Sequence, residues 1–300
     1  MNDLSETGLI LKVQGLGKHY PSFDLHDIDF DLPQGYIMGF IGPNGAGKTT
    51  TIKSILGLIR PDQGQVTLFA SINPAAPPET PQSCLAKHSR IGVVMDRPLY
   101  NEDWTVRQIA RVLAPFYPKW DDQKFQQYIS RFALSPDKKL KELSRGMQVK
   151  LQLAVALSHH ADLLILDEPT SGLDPVARDE ICDLLCEFVS DPHKSVLFST
   201  HITADLEKIA DYLTFILNGR MVYSGSKDDL LEKYVRVAGG LDDLTPQQQA
   251  LIIGYRAYSS GFEGMCLASH LQQLPRQLLT EPVTLDELIV YMHKGEAQHA

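Results

Sequence analysis

Residues Gly42 to Thr50 read GPNGAGKTT, and these residue types in this order could cradle a phosphate chain. The pattern G-x-x-x-x-G-K-[ST] is filled by Gly42, Gly47, Lys48 and Thr49, with Pro43, Asn44, Gly45 and Ala46 between the outer glycines. Glycines let the backbone wrap closely, because no Cβ blocks the dihedrals the loop requires. Successive N–H groups then face inward as an anion nest at a helix N-terminus, whose dipole favours negative charge. Lys48 is placed to reach β- and γ-phosphates, the Thr49 hydroxyl to ligate Mg²⁺, and Thr50 to continue the helix. The expected ligand is a nucleoside triphosphate with Mg²⁺.

A phosphate loop alone serves kinases, GTPases and motors, so the rest of the chain must narrow the chemistry. The apolar run Leu163–Leu166 ends in Asp167 and Glu168, two carboxylates at the C-terminal end of an expected central strand. Asp167 suits the Mg²⁺ shell, and Glu168 is placed to polarise an attacking water as general base. Ser144 and Gly146 (in LSRGM) open a helical run 23 residues before Asp167, a second anion-binding helix start that an N-cap serine would resemble. His201 ends Ser199-Thr200-His201, 34 residues after Asp167, at the position expected of a γ-phosphate sensor. A histidine at a strand end also serves structurally.

These groups need strands and helices to aim them. Strands are expected at 9–15, 25–32, 36–41, 65–69, 90–95, 163–166, 195–199, 213–217 and 221–224. Apolar spacing predicts helices at 51–59, 176–189 and 204–210, and interrupted helix over 105–153. Pro74, Pro77, Pro78 and Pro81 predict an irregular exposed loop over 71–83. Strands alternating with helices around a phosphate loop mean a parallel α/β core, with no internal repeat. The pattern weakens beyond Gly225. That tail carries 6 Lys+Arg and 10 Asp+Glu, with strand-like 251–253 and helix-like 285–292, and predicts a small separate subdomain.

Composition bounds the class. The 300 residues include 43% apolar and 22% charged, enough for a sizeable core. The net charge of −9 opposes a nucleic-acid footprint, which needs basic stripes. No apolar run reaches the ~18–20 residues of a membrane span, and MNDLSETGL is not expected to act as a secretory signal. Cys84, Cys182, Cys186 and Cys266 form no CxxC pair and no zinc spacing, which fits a reducing cytosol; Cys182 and Cys186 read as one packed helix face.

Taken in order, the phosphate loop, LSRGM, LLILDEP, SGLD (Ser171–Asp174) and His201 resemble the ATP-binding subunits of ABC transporters over about residues 9–225. The resemblance implies a P-loop ABC-type ATPase core with an antiparallel β-subdomain and a helical subdomain over about 97–155. Residues 226–300 then form a small α+β appendage. It also implies that two subunits stack head to tail, as a homodimer or with another ATP-binding subunit. Ser144 and Gly146 of one would complete the γ-phosphate site of the other, with Asp174 at the interface. Tyr20 matches the aromatic that stacks on adenine. The chain would then work peripherally on the cytoplasmic face of the cell membrane through an integral permease, since it has no span of its own.

Two positions depart from the pattern: Arg145 and Met147 interrupt the LSGGQ-like signature, and Asp96 stands where a glutamine is usual. An aspartate can ligate Mg²⁺, but no catalytic role is assigned to it. Arg97 to Trp104 occupies the stretch where family members contact a permease, and exposed Tyr100 and Trp104 would suit a helix-receiving groove. The segments DRPLYNEDWTV, FYPKWDD and FSTHITADLEKIADY resemble a bacterial subgroup that pairs with ABC-type-2 exporter permeases, so export is expected rather than import. The rival expectation is a permease-free ABC ATPase acting on nucleic acid or ribosomes, which the acidic balance opposes.

Overall fold

A computed structural model of the chain describes residues 8–69 and 86–299; the expected proline-rich loop and Cys84 lie outside them. The chain divides into two compact units, with the boundary in the sequence between Ser224 and Gly225.

The first unit is built on one nine-stranded mixed sheet. Its strands are β1 (Leu9–Tyr20), β2 (Phe23–Pro33), β3 (Ile37–Ile41), β4 (Gln63–Leu68), β5 (Ile91–Val94), β6 (Leu163–Asp167), β7 (Ser195–Thr200), β8 (Tyr212–Leu217) and β9 (Arg220–Ser226), in the spatial order β4-β1-β2-β9-β8-β3-β7-β6-β5. The half from β8 to β5 is parallel, and β3, β6 and β7 are buried along their whole length. That is why each carries an apolar run, unbroken in β3, over Leu163–Leu166 in β6 and over Val196–Phe198 in β7. At the other edge β1 pairs antiparallel with both β2 and β4, giving the antiparallel portion. β8 turns into β9 through Asn218 and Gly219, both at positive φ, a two-residue turn whose twist suits a hairpin.

Between β5 and β6 run α2 (Val106–Leu113), α3 (Asp122–Arg131) and α4 (Arg145–Ser158), after α1 (Lys48–Ile55) behind the phosphate loop. Each of the three starts at a side-chain cap, respectively Thr105, Asp121 and Ser144, which accepts from one free N–H of its first turn. They share a separate apolar core around Ile109, Phe125, Leu134 and Leu151. Tyr100 and Trp104 pack partly buried against that core, and burial pushes the Tyr100 hydroxyl well above its usual pKa. The two aromatics expected to be exposed are thus half-buried, and Leu99 is the apolar residue beside them that is exposed. Helices α5 (Pro175–Val189) and α6 (Thr203–Ile209) complete the unit.

Two element boundaries also differ from expectation. α1 runs 48–55 rather than 51–59, because the phosphate loop delivers the chain into helix at Lys48 and a turn ends it at Leu56 and Gly57. Leu251 is turn and Ile252 irregular, and the strand there starts at Ile253.

The second unit holds α7 (Lys227–Lys233), β10 (Tyr234–Gly239), α8 (Pro246–Gln249), β11 (Ile253–Tyr258), β12 (Gly261–Leu267), β13 (Leu279–Pro282) and α9 (Leu285–His299). Its four strands form an antiparallel sheet, β11-β12-β10-β13. Gly254, at φ +66, lets α9 come close: a Cβ there would sit 2.7 Å from the Tyr291 backbone. Arg236 lies among Glu263, Glu281 and Glu287.

Candidate ATP site at the ends of the parallel strands

β3 delivers the loop 42–47, and α1 leaves it. Glycine is required at both ends. A Cβ on Gly42 would fall 2.3 Å from the Ile216 carbonyl oxygen, and Gly47, at φ +114, would collide with Leu25 at 2.7 Å. Lys48 is buried, and its Nζ donates to the Gly42 carbonyl at 2.8 Å and the Pro43 carbonyl at 3.3 Å. The ammonium thus lies folded over the loop it serves. Asn44, Gly45, Gly47, Lys48, Thr49 and Thr50 line one cavity of about 480 Å³ with Ser22, Phe23 and Glu168. Ala46 is buried behind it.

Across the sheet, β6 brings Asp167 to the mouth of the loop. Thr49 Oγ1 donates to Asp167 Oδ2 at 2.8 Å, and Ser199 Oγ donates to Oδ1 at 2.7 Å. Both carboxylate oxygens are therefore oriented by hydroxyls, one from α1 and one from β7. The hydroxyl–carboxylate pair is the hard-oxygen chemistry Mg²⁺ prefers. No group of three or more His, Cys, Asp or Glu suited to a metal occurs among the described residues. That donor set fits a cation completing its shell with phosphate oxygens and water.

Glu168 follows at φ +51 in the left-handed region, turned back so that its N–H donates to the Ser199 carbonyl at 3.0 Å. Its Oε2 lies 2.7 Å from His201 Nδ1 and its Oε1 3.2 Å from Lys48 Nζ. Oε1 is buried and accepts no hydrogen bond, so the Lys48 contact supplies charge but is out of line as a bond. A buried carboxylate oxygen with spare acceptor capacity is the group an attacking water needs. Lys48, Glu168 and His201, far apart in the sequence, form one contiguous chain of contacts.

The other expected residues lie as follows. Ser144 caps α4, its oxygen accepting from Met147 N–H at 3.3 Å, and Gly146 is half-buried in the first turn. Asp174 caps α5, accepting from the N–H groups of Val176 and Ala177 at 3.0 Å each, bonds that hold its carboxyl below the usual range. Tyr20 is the β1 partner of Phe23 in β2, and Phe23 is the aromatic that lines the cavity. Ser199 and Phe23 escaped sequence reasoning. Ser199 shared its strand end with His201, but only the strand register ties it to Asp167.

Comparison with known proteins fits this geometry. Residues 25–171 match the family model described as ABC transporter. The Nod factor export ATP-binding protein I of Burkholderia lata is 34% identical over 91% of this chain and 93% of its own length. The corresponding Ralstonia nicotianae protein is 31% identical over 92% and 86%. The chain belongs to the ATP-binding subunits of ABC transporters. It binds ATP and hydrolyses it to power transport. The Bacillus subtilis ABC transporter ATP-binding protein YtrB is 28% identical over 73% of this chain and 72% of its own. Among solved structures, an ATP-binding subunit of an ABC transporter superposes with a TM-score of 0.64 at 27% identity, covering 74% of this chain and 91% of its own. Subunits of this family dimerise and work with membrane permeases. Among the described residues no helix is long and apolar enough to cross a membrane.

Proposed function

We propose that this subunit drives export, and that two copies, or one copy and a second ATP-binding subunit, close head to tail on ATP. The observation that supports this most is the Lys48–Glu168–His201 chain beside the Thr49–Asp167–Ser199 cluster, a complete hydrolytic half-site at the C-terminal ends of the parallel strands. The relatives named for Nod factor export favour the export direction.

The residues divide the work. Backbone N–H groups of 42–47 and the Lys48 ammonium bind the phosphates, and a phosphate within reach of Nζ competes with Glu168 for that ammonium. Thr49 and Asp167 would hold Mg²⁺, which when bound offsets charge on the β- and γ-phosphates. Glu168, held by His201, takes the proton of the attacking water on Oε1, and His201 contacts the γ-phosphate. Tyr20 and its strand partner Phe23 receive the adenine. Ser144 and Gly146 reach the γ-phosphate of the opposite subunit, and Asp174 joins the interface. Catalysis is mainly positioning and electrostatic stabilisation.

Residues 1–225 are the ATP-binding domain, with the helical subdomain over about 97–155 facing a permease at the cytoplasmic membrane face. Residues 226–300 form an accessory domain that regulates or supports the dimer. Removing 226–300 without changing turnover or assembly would refute that role.

The test of the composite site is complementation. Lys48→Ala and Ser144→Arg subunits are each expected to be inactive alone. Mixed, they form heterodimers with one intact composite site and regain turnover. A mixture as inactive as its parents overturns the head-to-tail reading. A permease-free role on nucleic acid is less favoured, because the chain is acidic and its relatives are transporter subunits.

A further inference from the structure

Resting on the hydrolytic reading of this site, we propose that Arg145 is a positioning residue for it, acting through Asp96. Its guanidinium holds and neutralises a third carboxylate that stands beside the Asp167–Glu168 pair.

The strand register places that carboxylate. β5 runs parallel to β6 with Val94 opposite Leu166. Asp96 follows two residues after the end of β5, on the end of the sheet where β6 delivers Asp167 and Glu168. This is the end of the sheet that binds triphosphate. An uncompensated charge there would repel phosphate and compete with Asp167 for a cation.

One face of α4 grips the chain as it leaves β5. Gln152 is buried, and its side-chain amide makes both backbone bonds to Met95: Oε1 accepts from the Met95 N–H and Nε2 donates to its carbonyl, each at 3.0 Å. Seven residues earlier, two helical turns and therefore on the same face, Arg145 pairs with Asp96. Gln152 fixes where the Asp96 backbone lies, and Arg145 fixes where its carboxylate points. The Arg145 stem also lies over Gly172 in the loop after β6: a Cβ there would sit 3.5 Å from Arg145 Cδ and Nε. The guanidinium arm is thus tied to both segments that flank Glu168.

Stability does not account for the pair. The side chains of Arg145 and Asp96 are 41% and 45% exposed, and ion pairs so exposed stabilise little. Its effect belongs to the site, where removing Arg145 exposes one full negative charge to the phosphates.

The experiment uses the full chain, with steady-state ATPase over a range of Mg-ATP, titration calorimetry of Mg-ATP binding and thermal melting. Arg145→Ala is expected to raise KM and Kd roughly five- to tenfold, as one added half-exposed charge does at about 10 Å once solvent screening is counted. Its melting temperature stays unchanged. Adding Asp96→Asn to Arg145→Ala removes the exposed charge and restores both constants. The exchanged pair D96R/R145D also keeps them near the unmodified values and covers the case in which a single variant fails to fold. Unchanged constants in Arg145→Ala overturn the proposal. So does a double variant as impaired as Arg145→Ala, because Arg145 would then act on nucleotide directly. Absence of turnover in the unmodified chain refutes the hydrolytic reading instead, and calorimetry then decides the Arg145 question.

Discussion

Replacing Glu168 by glutamine separates its chemistry from its packing. The amide side chain would keep an acceptor for His201 Nδ1, 2.7 Å from the present Oε2, and glutamine tolerates φ +51 about as well as glutamate. The contacts of a structural residue would survive. What disappears is the charge on Oε1, the buried oxygen with no hydrogen-bond donor. A positioned general base contributes typically ~10²–10⁴ in rate, about 3–5 kcal/mol of barrier. Binding moves the opposite way. At 3.2 Å the Glu168–Lys48 attraction is about 5 kcal/mol at an effective permittivity of ~20, before desolvation is subtracted. If a fifth of it remains net, the freed ammonium binds phosphate about fivefold tighter. Steady-state ATPase and calorimetry of Glu168→Gln should therefore show turnover lower by at least a hundredfold, with ATP affinity equal or higher. Turnover within tenfold of the unmodified chain would refute the reasoning, leaving Glu168 a structural partner of His201.

Three further outcomes are expected. Lys48→Ala removes the charged phosphate donor, worth about 1.5–3 kcal/mol, so nucleotide binding by calorimetry should weaken roughly 10- to 150-fold; unaltered affinity would remove Lys48 from the site. Ser199→Ala frees one oxygen of Asp167, so the Mg²⁺ concentration for half-maximal ATPase should rise on the order of tenfold; an unchanged midpoint contradicts the proposed orienting role. His159 stacks on Tyr117 at 4.0 Å with its pKa lowered to about 4, chiefly by burial. Its folded pKa is depressed, so its contribution is fully present above the unfolded value of ~6.5. Between there and about 4 the unfolded chain binds the extra proton, and about 3 kcal/mol of stability is lost as pH falls. Urea unfolding at pH 7 and pH 4.5 should show this loss, and His159→Phe should reduce it; identical pH dependence in the variant would contradict it.

What the sequence made legible is what lies contiguous in it. The phosphate loop carries its requirements in nine neighbouring residues, and Leu163–Glu168 carries both its burial and its two carboxylates. The strands β3, β6 and β7 are buried along their whole length and carry the apolar runs Ile37–Ile41, Leu163–Leu166 and Val196–Phe198, which makes them readable. Pairings across the fold were not legible. Asp96 and Arg145 are 49 positions apart, each a departure from a familiar pattern, and only the fold makes them partners. Ser199 is an ordinary strand serine until register sets it on Asp167. The aromatics Tyr100 and Trp104 looked exposed in a polar stretch, but the small core of α2–α4 takes them in. In the second unit, β10 has one fully buried residue and five partly buried ones, so no clean alternation marks it as strand.

The central claim is a pair of composite sites closed by ATP. Light scattering on size-separated Glu168→Gln, with and without Mg-ATP, tests it most directly. The account predicts the 33.4 kDa mass of one chain without nucleotide and twice that mass with it, the added mass vanishing when Ser144→Arg is introduced. A mass that does not respond to ATP would contradict it.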